Sequence, residues 1–328
     1  MSVRTNSRLE RGNISVASVT VATNAAAVLP RQLEALLRQT LPLSEVVVVD
    51  NASSDGTTEL LRQRYPQIKH LRLSSNQGVG GAQAVGIDYA VLQKKYDWVW
   101  LLDDDSVPAM DALEKLLEAF NAMKGTEDTI GILASLPVDT SSGEKIVGWM
   151  WRYGWTNPSP EVLKQRFWRV DAVISSGTLI RRQVVECVGL PRADFFMDFV
   201  DYEYCLRVRD KGYDVVIVPE SILSHKLGEA RQIKILGISK SWHQHAAWRE
   251  YYIWRNATFI FWRLYPTWRS KLFLSRRLLR HAAGVALFDQ DKKTTLRLMV
   301  LGFRDGLRGR LGVRFTAQPL REGMAVQT

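Results

Sequence analysis

Apolar and polar positions alternate along the first hundred residues in the order strand, loop, helix. Short apolar runs bounded by polar residues, which are typical of buried strands, occupy 15–23, 45–49, 70–73 and 98–102. Segments with helical spacing or composition lie between them, at 29–39, 57–65 and 80–94. This alternation predicts an α/β fold with a mostly parallel, Rossmann-like sheet, in which ligands bind beyond the carboxyl ends of the strands.

The later part of the chain has a less regular pattern. Residues 149–155 are rich in Trp and Tyr, a strand-like run at 170–175 precedes Ser176 and Gly177, and a strand at 214–218 ends before Pro219. From Ile233 the pattern indicates amphipathic helices. We therefore expect a tail at 1–13, an α/β domain at 14–229 and a helical, basic and aromatic region at 230–328.

Three adjacent carboxylates follow the fourth apolar run. Asp103, Asp104 and Asp105 repel one another, so their position at a strand end does not serve stability. A divalent cation would neutralise them, since hard oxygen ligands suit Mg²⁺ or Mn²⁺ and such ions bridge carboxylates to phosphates. The alternative is a solvated acidic turn that caps the following helix.

Two polar loops follow other predicted strands. Residues 50–57 carry small polar side chains that can bind a nucleobase or ribose, or simply cap the helix that begins near Thr57. Residues 76–81 contain glycines that permit close approach of a ligand, although a tight turn explains them equally well. The spacing in this loop is not that of the dinucleotide fingerprint.

A later aromatic block contains three acids. Asp198, Asp201 and Glu203 lie among Phe, Tyr and Val, and such surroundings raise the pKa of a carboxylate so that it can act as a base near neutral pH. Glu203 has Arg207 four residues away as an ion-pair partner, whereas Asp201 has none. His225 is either structural or a nitrogen ligand of a nearby cation.

Charge is distributed unevenly along the 328 residues. The chain has a net charge of +10, and residues 231–328 hold nineteen Lys or Arg against five Asp or Glu. A basic, aromatic region indicates an anionic surface as a partner.

Cys187 and Cys205 are too few for a disulfide framework, and both are expected to be buried in a reducing compartment. No apolar run predicts a secretion signal or a transmembrane helix, so we expect a cytoplasmic protein.

Taken in order, these motifs resemble the family 2 glycosyltransferases with the GT-A fold. The similarity covers residues 14–265 and concerns in particular bacterial rhamnosyltransferases and galactofuranosyltransferases of cell-wall, O-antigen and capsule assembly. The segments that carry it are Val-Asp-Asn-Ala-Ser-Ser-Asp-Gly-Thr, Asn-Gln-Gly-Val-Gly-Gly, Leu-Asp-Asp-Asp, Ser-Gly-Thr-Leu-Ile, Phe-Met-Asp-Phe-Val-Asp-Tyr-Glu-Tyr-Cys-Leu-Arg and His-Lys-Leu-Gly.

The resemblance implies a role for each motif. Asp201 would be the base that deprotonates the acceptor hydroxyl, and Asp105 and His225 would hold Mg²⁺ or Mn²⁺. The donor nucleotide-sugar would be bound by Thr23, Asp50, Asn51, Asn76, Gly80, Gly81, Asp103 and Asp104. The implied reaction is transfer of a sugar, with inversion, to a glycan or polyprenyl-linked glycan.

The donor sugar is open between two alternatives. The match over 196–207 favours a rhamnosyl group from dTDP-rhamnose. Asp104 in the middle of the acidic triplet instead favours UDP-galactofuranose, since rhamnosyltransferases of this kind often have Gln there.

Two other classes of protein are less well supported. A nucleic-acid-binding protein would leave the acidic site idle, and a nucleotidyltransferase would need a glycine-rich loop with Lys or Arg near the first strand.

The basic region interleaves aromatic and cationic residues. We expect part of it to pack against the catalytic domain. The rest could be the solvated face of an ordinary helical subdomain, an oligomer contact or an interfacial surface that holds the protein on anionic lipid. The side chains concerned are Trp242, Trp248, Trp254, Trp262, Trp268, Arg249, Arg255, Arg263, Arg269, Arg276, Arg277 and Arg280.

Overall fold

The computed structural model describes residues 14–316 apart from a few short gaps. The gaps are 124, 126, 152–153, 226–229, 236–237 and 244. The tail expected at 1–13 and the residues from 317 onward lie outside the described residues, as do Lys226, Leu227 and Gly228 of the last sequence motif.

A mixed nine-stranded sheet forms the centre of the molecule. Its strands are β1 (Val16–Ala22), β2 (Glu45–Asp50), β3 (Lys69–Arg72), β4 (Trp98–Asp103), β5 (Val107–Pro108), β6 (Ile130–Asp139), β9 (Trp168–Val170), β10 (Thr178–Arg181) and β11 (Asp214–His225). The order is β3-β2-β1-β4-β10-β6-β11-β5, with β9 also paired to β11. The first four strands are parallel, whereas β10, β9 and β5 run antiparallel to their neighbours. Two hairpins lie outside the sheet, β7 (Met150–Trp151) with β8 (Trp155–Thr156), and β12 (Ala230–Ile235) with β13 (Ile238–His243).

Helices cover both faces of the sheet. They are α1 (Leu29–Leu37), α2 (Thr57–Arg64), α3 (Gly78–Ile87), α4 (Ala112–Ala122), α5 (Pro160–Leu163), α6 (Arg182–Val188), α7 (Val200–Asp210), α8 (Ala247–Phe259), α9 (Trp268–Phe288) and α10 (Lys292–Arg308). The alternating side chains of the buried strands feed two apolar cores, one on each face. This arrangement confirms the predicted α/β class, because a sheet buried on both faces requires near-continuous apolar strands.

The C-terminal helices pack directly on the α/β domain. Buried α8 side chains join the core that contains β1 and β4. Helix α10 lies against α8 through glycines: a Cβ at Gly302 would be 2.3 Å from the Tyr251 carbonyl oxygen, and one at Gly306 would be 2.4 Å from that of Arg255. Among the described residues no helix is long and apolar enough to cross a bilayer.

Several local predictions need correction. The segment after Ile233 is first a β-hairpin and becomes helical only at Ala247, because its alternating polar and apolar residues suit a hairpin as well as a helix. Strand β11 continues past Pro219 to His225 through an irregularity in its pairing with β6. Cys187 is exposed rather than buried, whereas Cys205 is buried.

Candidate active site

Strand register brings the predicted polar side chains to one edge of the sheet. Ala22 at the end of β1 pairs with Asp50 of β2, and Val21 pairs with Asp103 of β4. Because these strands are parallel, their carboxyl ends meet at the same edge. Asp50 and the acidic triplet therefore lie at the same edge of the sheet, on the two strands that flank the end of β1.

Two carboxylates and an imidazole converge at this edge. Asp103, Asp105 and His225 each offer one ligand atom, and these atoms lie within 4.8 Å of one another. His225 reaches the cluster because the end of β11 pairs with β5, where Ser224 lies opposite Val107. Two oxygen ligands and one nitrogen ligand fit Mn²⁺ or Mg²⁺ better than a soft metal.

A chain of hydroxyl groups connects His225 to β4. The backbone N–H of Asp103 donates to Ser176 Oγ (3.0 Å), Ser176 Oγ donates to Ser106 Oγ (2.9 Å), and Ser106 Oγ lies 2.7 Å from His225 Nδ1. Both serines are buried. This series of hydrogen bonds fixes the ring of His225 relative to β4, the strand that carries the acids.

The acidic triplet is electrostatically strained. Burial raises the pKa of Asp103 to about 6, and the charge of Asp105 adds to this while Arg249 opposes it. Burial also raises the pKa of Asp104 to about 7, against the backbone N–H of Thr23, which lies 3.2 Å from the carboxylate. The charges of Asp105 and Asp103 raise the pKa of Asp104 further. A bound cation would relieve this repulsion.

Asp50 is fully buried and organises the turn after β2. Burial raises its pKa, but hydrogen bonds from Thr58 and Ser53 and the charge of Arg72 outweigh that effect, so the pKa lies below its ordinary value. Arg72 Nη1 is 2.7 Å from the carboxylate. The resemblance implies that Asp50 contacts the nucleobase of the donor. Such a contact would require Asp50 to give up one of these hydrogen bonds.

Asn51 and Asn76 tie two loops together. Asn51 Nδ2 donates to Asn76 Oδ1 (3.0 Å), and Asn51 Oδ1 accepts from the backbone N–H of Gln77 (2.8 Å). Asn76 Oδ1 also accepts from the N–H of Gly78 (2.8 Å). The two asparagines thus hold the turns after β2 and β3 at a fixed separation.

The glycines at the start of α3 pack against a second loop of the protein. A Cβ at Gly78 would be 2.1 Å from the Phe196 carbonyl oxygen, and one at Gly80 would be 2.4 Å from that of Arg192. The N–H of Gly80 donates to the Phe196 carbonyl (3.1 Å). A Cβ at Gly81 would meet Gln77 Cβ at 2.7 Å. Close packing on 192–196 accounts for Gly78 and Gly80, and the role of Gly80 and Gly81 toward a donor stays a prediction.

The loop before α7 has an unusual backbone conformation. Phe196, Asp198 and Phe199 have φ values of 64°, 56° and 63°, which side chains other than glycine rarely adopt. Helix α8 holds this conformation: Arg255 Nη2 donates to the Phe195 carbonyl (2.8 Å). Asn256 Nδ2 lies 3.0, 2.8 and 2.9 Å from the carbonyls of Phe195, Met197 and Asp198. Strain held in this way is typical of functional sites.

Asp201 begins the helix that follows this loop. Burial raises its pKa to about 7, against a hydrogen bond from the Tyr202 N–H (2.9 Å), and the charges of Asp198 and Asp103 raise it further. Glu203 instead forms a buried ion pair with Arg207 (2.7 Å). A carboxyl group with a pKa near neutrality can accept a proton under physiological conditions.

Arg249 places a positive charge among these acids. Its guanidinium forms two hydrogen bonds with Asp198, at 3.0 and 2.9 Å, and its charge lowers the pKa of Asp103. Sequence reasoning assigned Arg249 to the basic surface and gave no role to Ser106. Since Arg249 follows Asp198 by 51 positions, only the fold brings them together. Ser106 directly follows the acidic triplet in the sequence, and this position could have identified it as a candidate site residue.

Comparison with known proteins gives the site a context. Residues 18–189, more than half of the chain, match the family described as glycosyl transferase family 2. The dTDP-rhamnosyl transferase RfbF of Shigella flexneri is 27% identical over 275 residues, which cover 81% of this chain and 87% of the relative.

Solved structures share the fold. S. aureus TarS 1–349 in complex with UDP-GlcNAc aligns with a TM-score of 0.56 and 14% identity, over 89% of this chain and 81% of that one. GalNAc-T7 with UDP, GalNAc and Mn²⁺ aligns with a TM-score of 0.53 and 17% identity, over 68% of this chain and 44% of that one. These likenesses confirm the GT-A fold expected from the motifs.

The metal cluster can be tested with Asp105→Ala. The change removes one of three ligands from an exposed position, so Mn²⁺-dependent binding of a nucleotide-sugar should fall sharply while the melting temperature changes little. Isothermal titration with and without Mn²⁺ measures the effect. Glu118→Ala, a surface carboxylate on α4, is the control. Unchanged Mn²⁺-dependent affinity in Asp105→Ala would contradict the assignment.

Asp201→Asn separates proton transfer from binding. The amide keeps the shape but takes no proton, so kcat should fall about 10²- to 10⁴-fold with little change in donor affinity. In the unmodified protein, kcat should decrease as the pH falls below about 7, the pKa of Asp201. Steady-state kinetics against pH, at saturating metal, checks both expectations.

The same substitution should not destabilise the protein. Because the folded-state pKa of Asp201 is raised, its contribution to stability is present at low pH and is lost as the pH rises through about 7. Asp201→Asn should therefore be at least as stable as the parent above pH 7. Asp210→Asn, at the exposed end of the same helix, is the control. Near-normal kcat in Asp201→Asn would move the role of base to Asp198 or Glu203.

Proposed function

This chain belongs to glycosyl transferase family 2, and we propose that it transfers a rhamnosyl group from dTDP-rhamnose to a glycan or lipid-linked glycan acceptor. The observation that carries the proposal is the convergence of Asp103, Asp105 and His225 at the sheet edge, with Asp201 close enough for its pKa to respond to Asp103. The similarity to a dTDP-rhamnosyl transferase over most of both chains supports the donor.

The proposed reaction is a single displacement with inversion. Asp201 removes the proton of the acceptor hydroxyl, and the acceptor oxygen forms a bond to the anomeric carbon of the donor. The bond from that carbon to the phosphate oxygen breaks on the opposite side, and the nucleoside diphosphate departs with the electron pair. Asp103, Asp105 and His225 would hold Mg²⁺ or Mn²⁺, which supplies positive charge to the departing diphosphate. Arg249 adds a fixed positive charge beside the same carboxylates.

The proposed donor-binding residues lie on loops at the carboxyl edge of the sheet. Thr23, Asn51 and Asn76 follow strands β1, β2 and β3, and nucleotides bind at this edge in this class of fold. Asp50 would act chiefly by ordering the turn at 50–53, because its oxygens already accept bonds from the protein. Asp103 and Asp104 would lie near the ribose and diphosphate. UDP-galactofuranose is the alternative donor, which Asp104 in the acidic triplet favours.

A comparison of the two donors tests the proposal. With Mn²⁺ present, dTDP-rhamnose should raise the melting temperature and be hydrolysed slowly to dTDP, whereas UDP-galactofuranose should do neither. EDTA should abolish both effects, and Asp105→Ala serves as the matched variant. The reverse preference would establish the alternative donor. Release of pyrophosphate instead of a nucleoside diphosphate would indicate a nucleotidyltransferase and refute the proposed reaction.

We also propose peripheral binding to an anionic membrane through the outer face of α9. Trp268 is 70% exposed and Leu279 is 71% exposed, and Leu272 lies between them on the same groove. Arg276 and Arg280 line this groove as well. Exposed Trp and Leu flanked by arginines suit the interface of a bilayer, where each cation adds about 1 kcal/mol on anionic lipid.

The structure divides the aromatic and cationic residues of this region. Trp254 and Arg255 are buried, whereas Arg277 is exposed and lines a cavity beside the loop that precedes α7 rather than the outer groove of α9. The side chain of Trp242 lies outside the described residues. The membrane surface proposed here is therefore narrower than the sequence pattern, and it excludes Arg277.

Charge reversal on α9 tests the membrane contact. Arg276→Glu with Arg280→Glu should weaken co-sedimentation with vesicles of phosphatidylcholine and phosphatidylglycerol at least about tenfold, because two attractive charges become repulsive. Lys293→Glu with Arg297→Glu makes the same change of net charge on α10 and is the matched control. Equal binding to vesicles of pure phosphatidylcholine, or an equal loss in the control, would contradict this surface.

A further inference from the structure

A cavity of about 470 Å³ lies between the loop that precedes α7 and the C-terminal helices. It is distinct from the carboxylate cluster, and Asp198 and Tyr202, on either side of Asp201 in sequence, form part of its wall. The size is typical of a site for a small ligand. Its lining residues are Trp149, Trp155, Asp198, Phe199, Tyr202, His245, Ile253, Trp254, Ala257, Phe261, Leu274, Arg277, Leu278 and His281.

Aromatic rings form one wall of the cavity. The rings of Trp149 and Trp155 each lie 5.0 Å from that of Tyr202, and Phe199 lies 5.4 Å from it. Contact among the rings holds them in place. Aromatic faces carry partial negative charge, and the C–H groups on one face of a pyranose carry partial positive charge. Because the three rings are tilted by 44° to 58° relative to that of Tyr202, the wall suits stacking of a sugar ring on a single aromatic side chain.

Arg277 is the cation of the cavity that no protein carboxylate engages. Within the described part of the chain, Arg277 has no ion pair, whereas Arg249 nearby is held by Asp198 (2.9 Å) and His281 lies 2.8 Å from Glu250. The charge of Arg277 also reaches Tyr202. An arginine fork in an aromatic cavity is suited to bind a phosphate through two hydrogen bonds.

We propose that this cavity is the acceptor subsite and that Arg277 binds a phosphate group carried by the acceptor, next to the sugar that lies on the aromatic wall. The inference rests on the proposed transferase function and adds the chemical class of the acceptor. The position of the cavity supports it, since Asp198 and Tyr202 bring its wall to the helix that carries the base. Helix α9 contributes Arg277 to the cavity and Arg276 to the outer groove, so one helix faces both the acceptor and the proposed membrane surface.

Binding of three probes tests the proposal without turnover. The probes are octyl glucoside, which has no phosphate, glucose 1-phosphate, which has no lipid chain, and glucose joined to octanol through a diphosphate. Titrations are made in EDTA, so that a divalent cation does not hold phosphate at the carboxylate cluster. Both phosphate-bearing probes should bind at least about tenfold more tightly than octyl glucoside, the effect of one charged hydrogen-bonded contact.

Substitutions assign that preference to Arg277. Arg277→Gln should weaken both phosphate-bearing probes about 10- to 100-fold, and Arg277→Lys should weaken them less. Arg304→Gln, an exposed arginine on α10, should have no effect, and melting temperatures show that the variants fold. If the diphosphate-linked probe binds more tightly than glucose 1-phosphate, the source of the phosphate is a lipid-linked acceptor. Equal affinity identifies a free sugar phosphate.

Three results would overturn the inference. These are unchanged affinity in Arg277→Gln, an equal loss in Arg276→Gln, which would place the anion on the outer groove of α9, and the absence of binding by both phosphate-bearing probes. A failed donor screen together with Arg277-dependent binding would refute the proposed donor and leave the anion site. A successful donor screen without Arg277-dependent binding would refute only the proposed class of acceptor.

Discussion

The geometry of the site depends on a buried arginine and asparagine that hold the loop at 194–198. Arg255 is 0% exposed, and in the described structure its guanidinium donates to backbone carbonyls and lies over the Tyr252 ring at 4.7 Å rather than pairing with a carboxylate. Asn256 shares the Phe195 carbonyl with Arg255 and also donates to the carbonyls of Met197 and Asp198. Each left-handed residue in the loop costs about 1–3 kcal/mol, so the loop keeps its shape only because these bonds outweigh the strain. Loss of either side chain would leave buried carbonyls without donors.

The same loop lies between helix α3 at the sheet edge and helix α8 of the C-terminal region. On one side Gly78 packs against the Phe196 carbonyl and the N–H of Gly80 donates to it, and on the other Arg255 and Asn256 of α8 donate to the carbonyls of the loop. Helix α7, which carries Asp201, begins directly after the loop. A shift of the C-terminal helices would therefore be transmitted to Asp201. The sequence boundary expected at 229 and 230 separates two regions of different composition, but the site draws residues from both.

The sequence predicted most of the sheet edge because that information is local. A buried strand is recognisable in a sequence as an apolar run. Three adjacent acids at its end repel one another, so the triplet that contains Asp103 and Asp105 could be singled out without a fold. The partners of Asp198 could not, since Arg249 lies on another helix and has the composition of an ordinary surface cation. Arg276 and Arg277 are adjacent and chemically identical, yet one faces the outer groove and the other the cavity. Only the rotation of α9 against the domain decides between them.

The charge distribution of the site favours a bound cation. Burial raises the pKa values of Asp103, Asp104 and Asp201 to between about 6 and 7, and the charges of neighbouring acids add to this, so the folded chain resists ionising them. Arg249 is a fixed counter-charge, but it is already bound to Asp198. Ionisation of the remaining acids at neutral pH therefore costs stability, and that cost falls when a divalent cation binds beside them. A cation held there would offset this repulsion and would in turn attract a diphosphate. Burial, the largest cause of the raised pKa of Asp201, keeps that carboxylate basic enough to accept a proton.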